Sequence, residues 1–447
     1  MQQSYWDVEL DTRPWAEVEA WQAQQISGFV AQLPERSEFY KRHLQSTKDE
    51  TTRLRGLDAL ETIPFTTKDE LRRAQLAAVV GLPFGANQSV ALEGIVQGVS
   101  SSGTTGEPMY YALTRRDLDA WMDGAANVFF TCGIRRHDVV AHLVGLPMVA
   151  GGLPYADGFR QIGATLAWLG GFPTERVLTA LPRLQASAIL ATTSFGVHLA
   201  DHCSELIGST AADLGVKKFI SGGEPGLGQS EIRAKISSAW NTSHIRECMG
   251  IGDVMSALWG ECDDASGMHF CGQRHVAVEL IDPVTGARVP WREGAEGEPV
   301  YTTFDREATP TLRYRSADHV IVLGTECRCG RTAPKIRCIG RTDDMLIYKG
   351  MNVYPSAIRD VVLSRFSDAV APYMRIWKER KEQVRFDSPI PLEIERRLEL
   401  PASRLPSISG AIEVEMRRRL QIRVEVTIVE PRTIPRTAYK TALVQVR

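Results

Sequence analysis

The sequence predicts an α/β protein: a large amino-terminal domain with sheets packed on helices and a β-rich subdomain, then a small α+β domain. Three observations carry this reading. The chain has 447 residues, 43% of them apolar, enough to bury the cores of more than one domain. Short apolar runs at 139–146, 164–169, 188–191, 218–220 and 244–247 alternate with helical segments, the pattern of a largely parallel sheet covered by helices. From His275 to Val322 the pattern changes to strands joined by turns, among them Asp282-Pro-Val-Thr-Gly and Arg292-Glu-Gly-Ala-Glu-Gly. The expected boundaries are a domain over 1–340 with its β-rich part at about 262–338, a hinge at 341–344 and a small domain over 345–447.

The elements follow in order. Trp15 to Leu44 has helical periodicity through Trp15, Val18, Trp21, Ile26, Phe29, Val30 and Leu33. In Pro64-Phe-Thr-Thr-Lys-Asp-Glu-Leu, Thr67 stands as N-cap with Glu70 three residues on, which starts a helix. The run from Ser100 to Pro108, Ser-Ser-Ser-Gly-Thr-Thr-Gly-Glu-Pro, crowds small hydroxyls and glycines so that backbone N–H groups can surround an anion. It reads as a loop that grips polyphosphate. The absence of a Gly-Lys-Ser/Thr ending excludes a Walker loop. A flexible linker is the competing reading, outweighed by Pro108 and the strand-like Tyr110-Tyr111 that follow. Arg115 to Cys132 reads as a helix.

A formal charge of −2 gives no case for nucleic acid, but from Arg331 onward 23 Lys/Arg stand against 14 Asp/Glu, a tail of +9 suited to an anionic partner. The longest nearly apolar stretch, 139–156, is broken by His142, Pro147 and Pro154, so no membrane span is expected. The segment Met-Gln-Gln-Ser-Tyr-Trp-Asp lacks a basic region before an apolar core, so no signal peptide is expected. Eight scattered cysteines do not form a disulfide framework, and a cytoplasmic location is expected. Cys262, His269, Cys327 and Cys329 have the composition of a closed, structural zinc site. Cys271 competes as a ligand, because it shares a face with His269 if that segment is a strand. Unliganded buried thiols are the other alternative.

Further motifs stand in order: Tyr5-Trp6, Glu35-Arg-Ser-Glu-Phe-Tyr, Ser221-Gly-Gly-Glu-Pro, Arg313-Tyr-Arg-Ser-Ala-Asp318, Gly340-Arg-Thr-Asp-Asp344 and Pro435-Arg-Thr-Ala-Tyr-Lys440. With the phosphate loop they make the chain resemble, essentially end to end, the adenylate-forming superfamily and its phenylacetate-CoA ligase-like branch. The resemblance implies that a carboxylate attacks the α-phosphate of ATP, giving an acyl-adenylate and pyrophosphate, and that the acyl group then passes to a thiol. ATP, Mg2+ and CoA are the implied cofactors. Ser101, Ser102, Gly103, Thr104, Thr105 and Gly106 would hold phosphate, with Thr104 also acting in catalysis. Gly223, Glu224, Pro225, Met249 and Gly250 would line the adenine pocket, Asp318 would bind ribose, and Arg341 would sit near ribose and phosphate. Lys440 would supply positive charge where carboxylate meets α-phosphate. The small domain is implied to be mobile, with Asp343 as pivot and Gly350 beside the thiol channel.

One departure concerns Met249-Gly-Ile-Gly-Asp253, where relatives carry Tyr-Gly-Leu-Ser-Glu or a close variant. Asp253, the implied Mg2+ ligand, is one methylene shorter than glutamate; Gly252 lacks a hydroxyl and Met249 an aromatic ring. In the acyl pocket, Val144 and Val149 stand where relatives place Tyr and Phe, with Gly151, Ser221 and Gly222 alongside. This points to an aryl or heteroaryl monocarboxylate bulkier than phenylacetate. The acceptor is CoA, or alternatively a carrier-protein phosphopantetheine or an amine; a nucleotide-binding scaffold with weakened turnover is the reading from a different class. A homodimer is compatible with the sequence.

Overall fold

The computed structural model describes residues 4–45, 57–77, 81–101, 109–144, 148–223, 227–228, 230–341, 346–349, 351–380, 383–435 and 443–447. The single periodic segment expected near the amino terminus is two helices, Trp15–Arg36 and Glu38–His43. Ser37 breaks it: its backbone is extended, and its hydroxyl accepts from the Tyr40 N–H and so caps the second helix. The apolar stripe is buried as expected, through Val18, Ile26, Phe29, Val30 and Leu33. Helix Lys68–Leu76 starts on a full capping box between Thr67 and Glu70. Strands β1 (Gln97–Ser100) and β2 (Tyr110–Leu113) pair antiparallel on either side of the phosphate loop.

The parallel strands are β3 (Val139–His142), β4 (Thr165–Trp168), β5 (Ala188–Ala191), β6 (Lys218–Ser221) and the first half of β7 (His244–Ile251), in the order β4-β3-β5-β6-β7. Both faces are covered. Val140, Leu190 and Ile220 pack with Phe129, Tyr155 and Phe159, while Ala141, Ile189 and Phe219 pack with Leu178, Leu199 and Trp240. Burial on two faces is why these strands read as continuous apolar runs rather than alternating ones.

The second half of β7 pairs antiparallel with β8 (Met255–Glu261), and the sheet continues through β9 (Met268–Phe270). Strands β10 (Val276–Ile281), β11 (Glu296–Thr303), β12 (Tyr314–Arg315), β13 (Asp318–Gly324) and β14 (Lys335–Arg341) complete it, in the order β8-β9-β14-β13-β11-β10 with β12 on β11. The β-rich region therefore starts before residue 262 and is joined to the parallel sheet through β7.

The small domain has β15 (Leu346–Tyr348) and β16 (Met351–Val353) as a hairpin, and β17 (Val370–Lys378) beside β19 (Ile390–Arg396). Strand β18 (Arg385–Phe386) joins β15; β20 (Val424–Val429) and β21 (Val444–Val446) flank the β19-β17 pair. Ile358, Val362, Ile376, Ile394, Ile412 and Met416 bring the helices Pro355–Phe366 and Leu405–Leu420 into a separate core. Among the described residues no helix is long and apolar enough to cross a membrane.

Candidate active site

The carboxyl ends of β6 and β7 present backbone rather than side chains. A Cβ on Gly250 would lie 1.6 Å from the Ser256 carbonyl oxygen, so only glycine fits there. Gly223 has a φ of +85°, the left-handed region that glycine enters without steric cost. Crevices at the carboxyl ends of parallel strands are the usual ligand sites of α/β sheets.

Beside these ends lies Asp253, buried on the turn from β7 to β8. Its neighbours arrive by a chain of hydrogen bonds. Thr66 donates its N–H to the Arg313 carbonyl at 3.0 Å, accepts from the Arg315 N–H at 3.0 Å and donates its hydroxyl to Leu312 O at 2.7 Å. That zipper fixes the start of helix Lys68–Leu76 and brings Lys68 Nζ to 3.3 Å from the Asp253 carboxylate. The Tyr111 hydroxyl donates to Asp253 Oδ1. Arg306 donates to the carbonyls of Asp253 and Val254, both at 2.9 Å, and locks the turn; burial lowers its pKa to about 10. Burial, with the Asp253 charge beside it, pushes the Tyr314 phenol well above its usual value.

The segment expected to hold phosphate is closed at its two described ends. Ser101 N donates to Met109 O at 2.8 Å, and Met109 N donates to Ser101 Oγ at 3.1 Å. Tyr111, two residues on, thus ties the loop's exit to Asp253. Asp318 and Arg341 face each other across β13 and β14, with Nη1 3.2 Å from Oδ1. Arg313 and Arg315 of the same motif are structural: Arg313 forms a buried pair with Glu279 at 3.0 Å, and Arg315 pairs with Glu298.

Of the expected site residues, the structure links Ser101 to Asp253 through Met109 and, on β2, Tyr111, and pairs Asp318 with Arg341. Ser221 is buried and its hydroxyl lies 2.7 Å from that of Thr193, so it supports the site rather than offering that hydroxyl to a ligand. Gly222 packs on Cys248, and Met249 is half-buried against the β-rich core. Val149 and Gly151 are buried; Val149 bridges Ser100 beside the phosphate loop, and the half-buried Val144 uses its carbonyl to accept from Trp168. Ser102, Gly103, Thr104, Thr105, Gly106, Glu224, Pro225, Asp343, Gly350 and Lys440 lie outside the described residues. Sequence reasoning missed Lys68, Tyr111, Tyr314 and Arg306. A signal existed for Lys68: a cation in the first turn of a helix opposes the helix dipole, so its partner lies elsewhere.

The cysteine and histidine side chains also converge. One ligand atom from each of Cys262, His269, Cys327 and Cys329 falls within 4.8 Å of the others. Cys262 and Cys327 sulfurs are 3.7 Å apart, and Cys329 Sγ is 3.5 Å from His269 Nε2. A hydrogen bond shared with Cys262 holds the Cys329 thiol low and raises that of Cys262, and His269 lowers Cys329 further. Cys271 is not part of the cluster. Strand β9 ends at Phe270, which breaks the two-residue alternation, and Cys271 instead donates to His269 O and contacts Thr131 in the core under helix Arg115–Thr131.

Comparison with known proteins places these features. Residues 350–445 match the AMP-binding enzyme C-terminal domain family. The phenylacetate-coenzyme A ligase of Thermus thermophilus is 31% identical over 376 residues, covering 83% of this chain and 81% of that protein. The chain belongs to the phenylacetate-CoA ligase-like adenylate-forming enzymes. As a member of that branch it is an AMP-forming acid–thiol ligase, built as a large domain followed by a small one. A 2-hydroxyisobutyryl-CoA ligase solved in the postadenylation state with its acyl-AMP is 25% identical, with TM-score 0.88 over 100% of this chain and 93% of that one. The same enzyme in the thioesterification state with acyl-AMP and CoA matches at TM-score 0.71, with 25% identity over 99% and 92%.

Proposed function

We propose that this ligase adenylates an aromatic carboxylic acid with ATP and transfers the acyl group to the thiol of CoA. The observation that carries the reading is the buried Asp253 carboxylate, tied by Tyr111 to the strand leaving the phosphate loop and paired with Lys68. An ion pair 3.3 Å long at the mouth of an anion loop can exchange partners. With ATP bound, Lys68 would pair with the polyphosphate and Asp253 would hold the accompanying Mg2+, which would neutralise phosphate charge. Lys68 thereby offsets the methylene that Asp253 lacks. Asp318 accepts from the ribose hydroxyls with Arg341 beside it, and Lys440 supplies the charge where the two anions meet. Val144 and Val149 leave room for a ring.

Cys262, His269, Cys327 and Cys329 hold a structural zinc ion. Their donor set and convergence support it. The test of the whole reading is incubation with ATP, Mg2+, CoA and a panel of benzoates, phenylacetates and their hydroxy and amino derivatives, with AMP and acyl-CoA read by mass spectrometry. Formation of both from at least one aromatic acid is expected. Turnover only with aliphatic acids overturns the substrate class, and AMP without acyl-CoA overturns the acceptor.

A further inference from the structure

Among the described residues the two domains meet where helix Ser230–Trp240 packs on helix Pro355–Phe366 and at two further places. Next to the hinge, the Tyr354 ring stacks on His319 with centroids 5.1 Å apart, and a Cβ on Gly340 would strike that ring at 2.6 Å. Ser356 Oγ donates to Ile339 O at 3.0 Å. The other contact joins the end of β19 to helix Thr193–Ile207: Arg397 Nη2 donates to Asp201 Oδ2 at 2.9 Å. Arg397 is oriented by its own domain first, since its Nε donates to Ser367 O at 2.6 Å and its N–H to Ala369 O at 3.0 Å. Lys235, on helix Ser230–Trp240, adds a positive charge near Asp201 and Asp368.

We infer that the Asp201–Arg397 pair is a latch that holds the small domain in its adenylating orientation and sets the partition between the two half-reactions. This rests on the adenylation reading above. A rotation about the hinge changes which surface of the small domain faces helix Thr193–Ile207, so the pair persists in one orientation only. The described arrangement fits the postadenylation relative far better than the thioesterification one. Both side chains keep partial solvent contact, 23% and 31% exposed, so the pair is strong enough to bias the equilibrium and weak enough to release each cycle. Asp201 and Arg397 are positioning residues; neither is assigned contact with substrate.

The test is a charge swap. Asp201→Lys faces both Arg397 and Lys235 with like charge and lowers acid-dependent ATP–pyrophosphate exchange about five-fold, while thioester formation from supplied acyl-adenylate is not lowered. The double variant Asp201→Lys, Arg397→Glu recovers exchange to within about two-fold of the parent. Equal loss in both half-reactions, unchanged exchange in the single variant, or no recovery in the double overturns the latch. A second readout needs no substrate. Hydrogen–deuterium exchange at 193–207 and 367–369 rises in Asp201→Lys and returns in the double variant; no change in either overturns the latch. Failure of the parent to adenylate any acid counts against the functional reading, and amide exchange still decides the latch.

Discussion

Asp253 reaches partners 185 and 142 residues away, whereas Cys262 meets Cys327 across 65. Both are long-range assemblies, but they are built for different ends. Around Asp253 the charges are already matched by a lysine and a phenol that can move to other anions, beside strand ends kept bare by glycine. In the cysteine–histidine cluster the donors converge to within 4.8 Å from the residue after β8, from β9 and from the turn at 327–329. The first suits the exchange of partners that the proposed adenylation needs, the second the fixed metal cluster that is proposed there.

Removing the charge proposed to act in the first half-reaction alone has the largest expected effect. Lys440→Ala lowers adenylate formation about a thousand-fold and leaves thioester formation from supplied acyl-adenylate largely intact, as half-reaction assays will show. Equal loss in both halves would remove Lys440 from its assigned role. Next, Asp253→Asn loses about a hundred-fold in turnover, whereas Asp253→Glu keeps activity and lowers the Mg2+ requirement. Lys68→Ala raises the KM for ATP about ten-fold, measured against Mg2+ concentration, which separates an exchanging lysine from a structural one.

The permanent site answers differently. Chelation lowers the melting temperature by about 5 °C or more before it lowers the rate per folded molecule. Metal analysis finding no zinc in protein prepared without chelators would refute the site, and loss of rate with no thermal change would move the metal into the chemistry. A third, half-buried cluster sharpens the contrast because it belongs to neither. Burial disfavours a charged His275, but hydrogen bonds to Asp123 and Asp305 outweigh it and raise its pKa to about 9. The folded value exceeds the ordinary one near 6.5, so the stabilisation is full below about pH 6.5 and is lost as pH rises through about 9. The loss is about 3 kcal/mol, and His275→Gln flattens that part of the stability profile.

Legibility followed physical range. Strands β3 to β6 and the Thr67 cap could be read because burial on two faces and a three-residue capping box leave local marks. The cluster of Cys262, His269, Cys327 and Cys329 could be read because its chemistry restricts the residue types, although the exclusion of Cys271 depends on where β9 stops. Ser37 hid inside an unbroken apolar period, and β8 hid behind a glycine-rich turn. For the Lys68–Asp253 pair the sequence marked only Lys68, as a cation in a first helical turn; its partner could not be read, since the Thr66 zipper to Arg313 and Arg315 is what brings the two together. Those arginines are spent on Glu279 and Glu298.

The most direct measurement is acid-dependent ATP–pyrophosphate exchange in the intact protein and in Asp253→Asn. Exchange that requires an aromatic acid and Mg2+ and falls about a hundred-fold in the variant is the expected result. Exchange that survives unchanged in Asp253→Asn, or that no aromatic acid supports in the parent protein, would contradict the account.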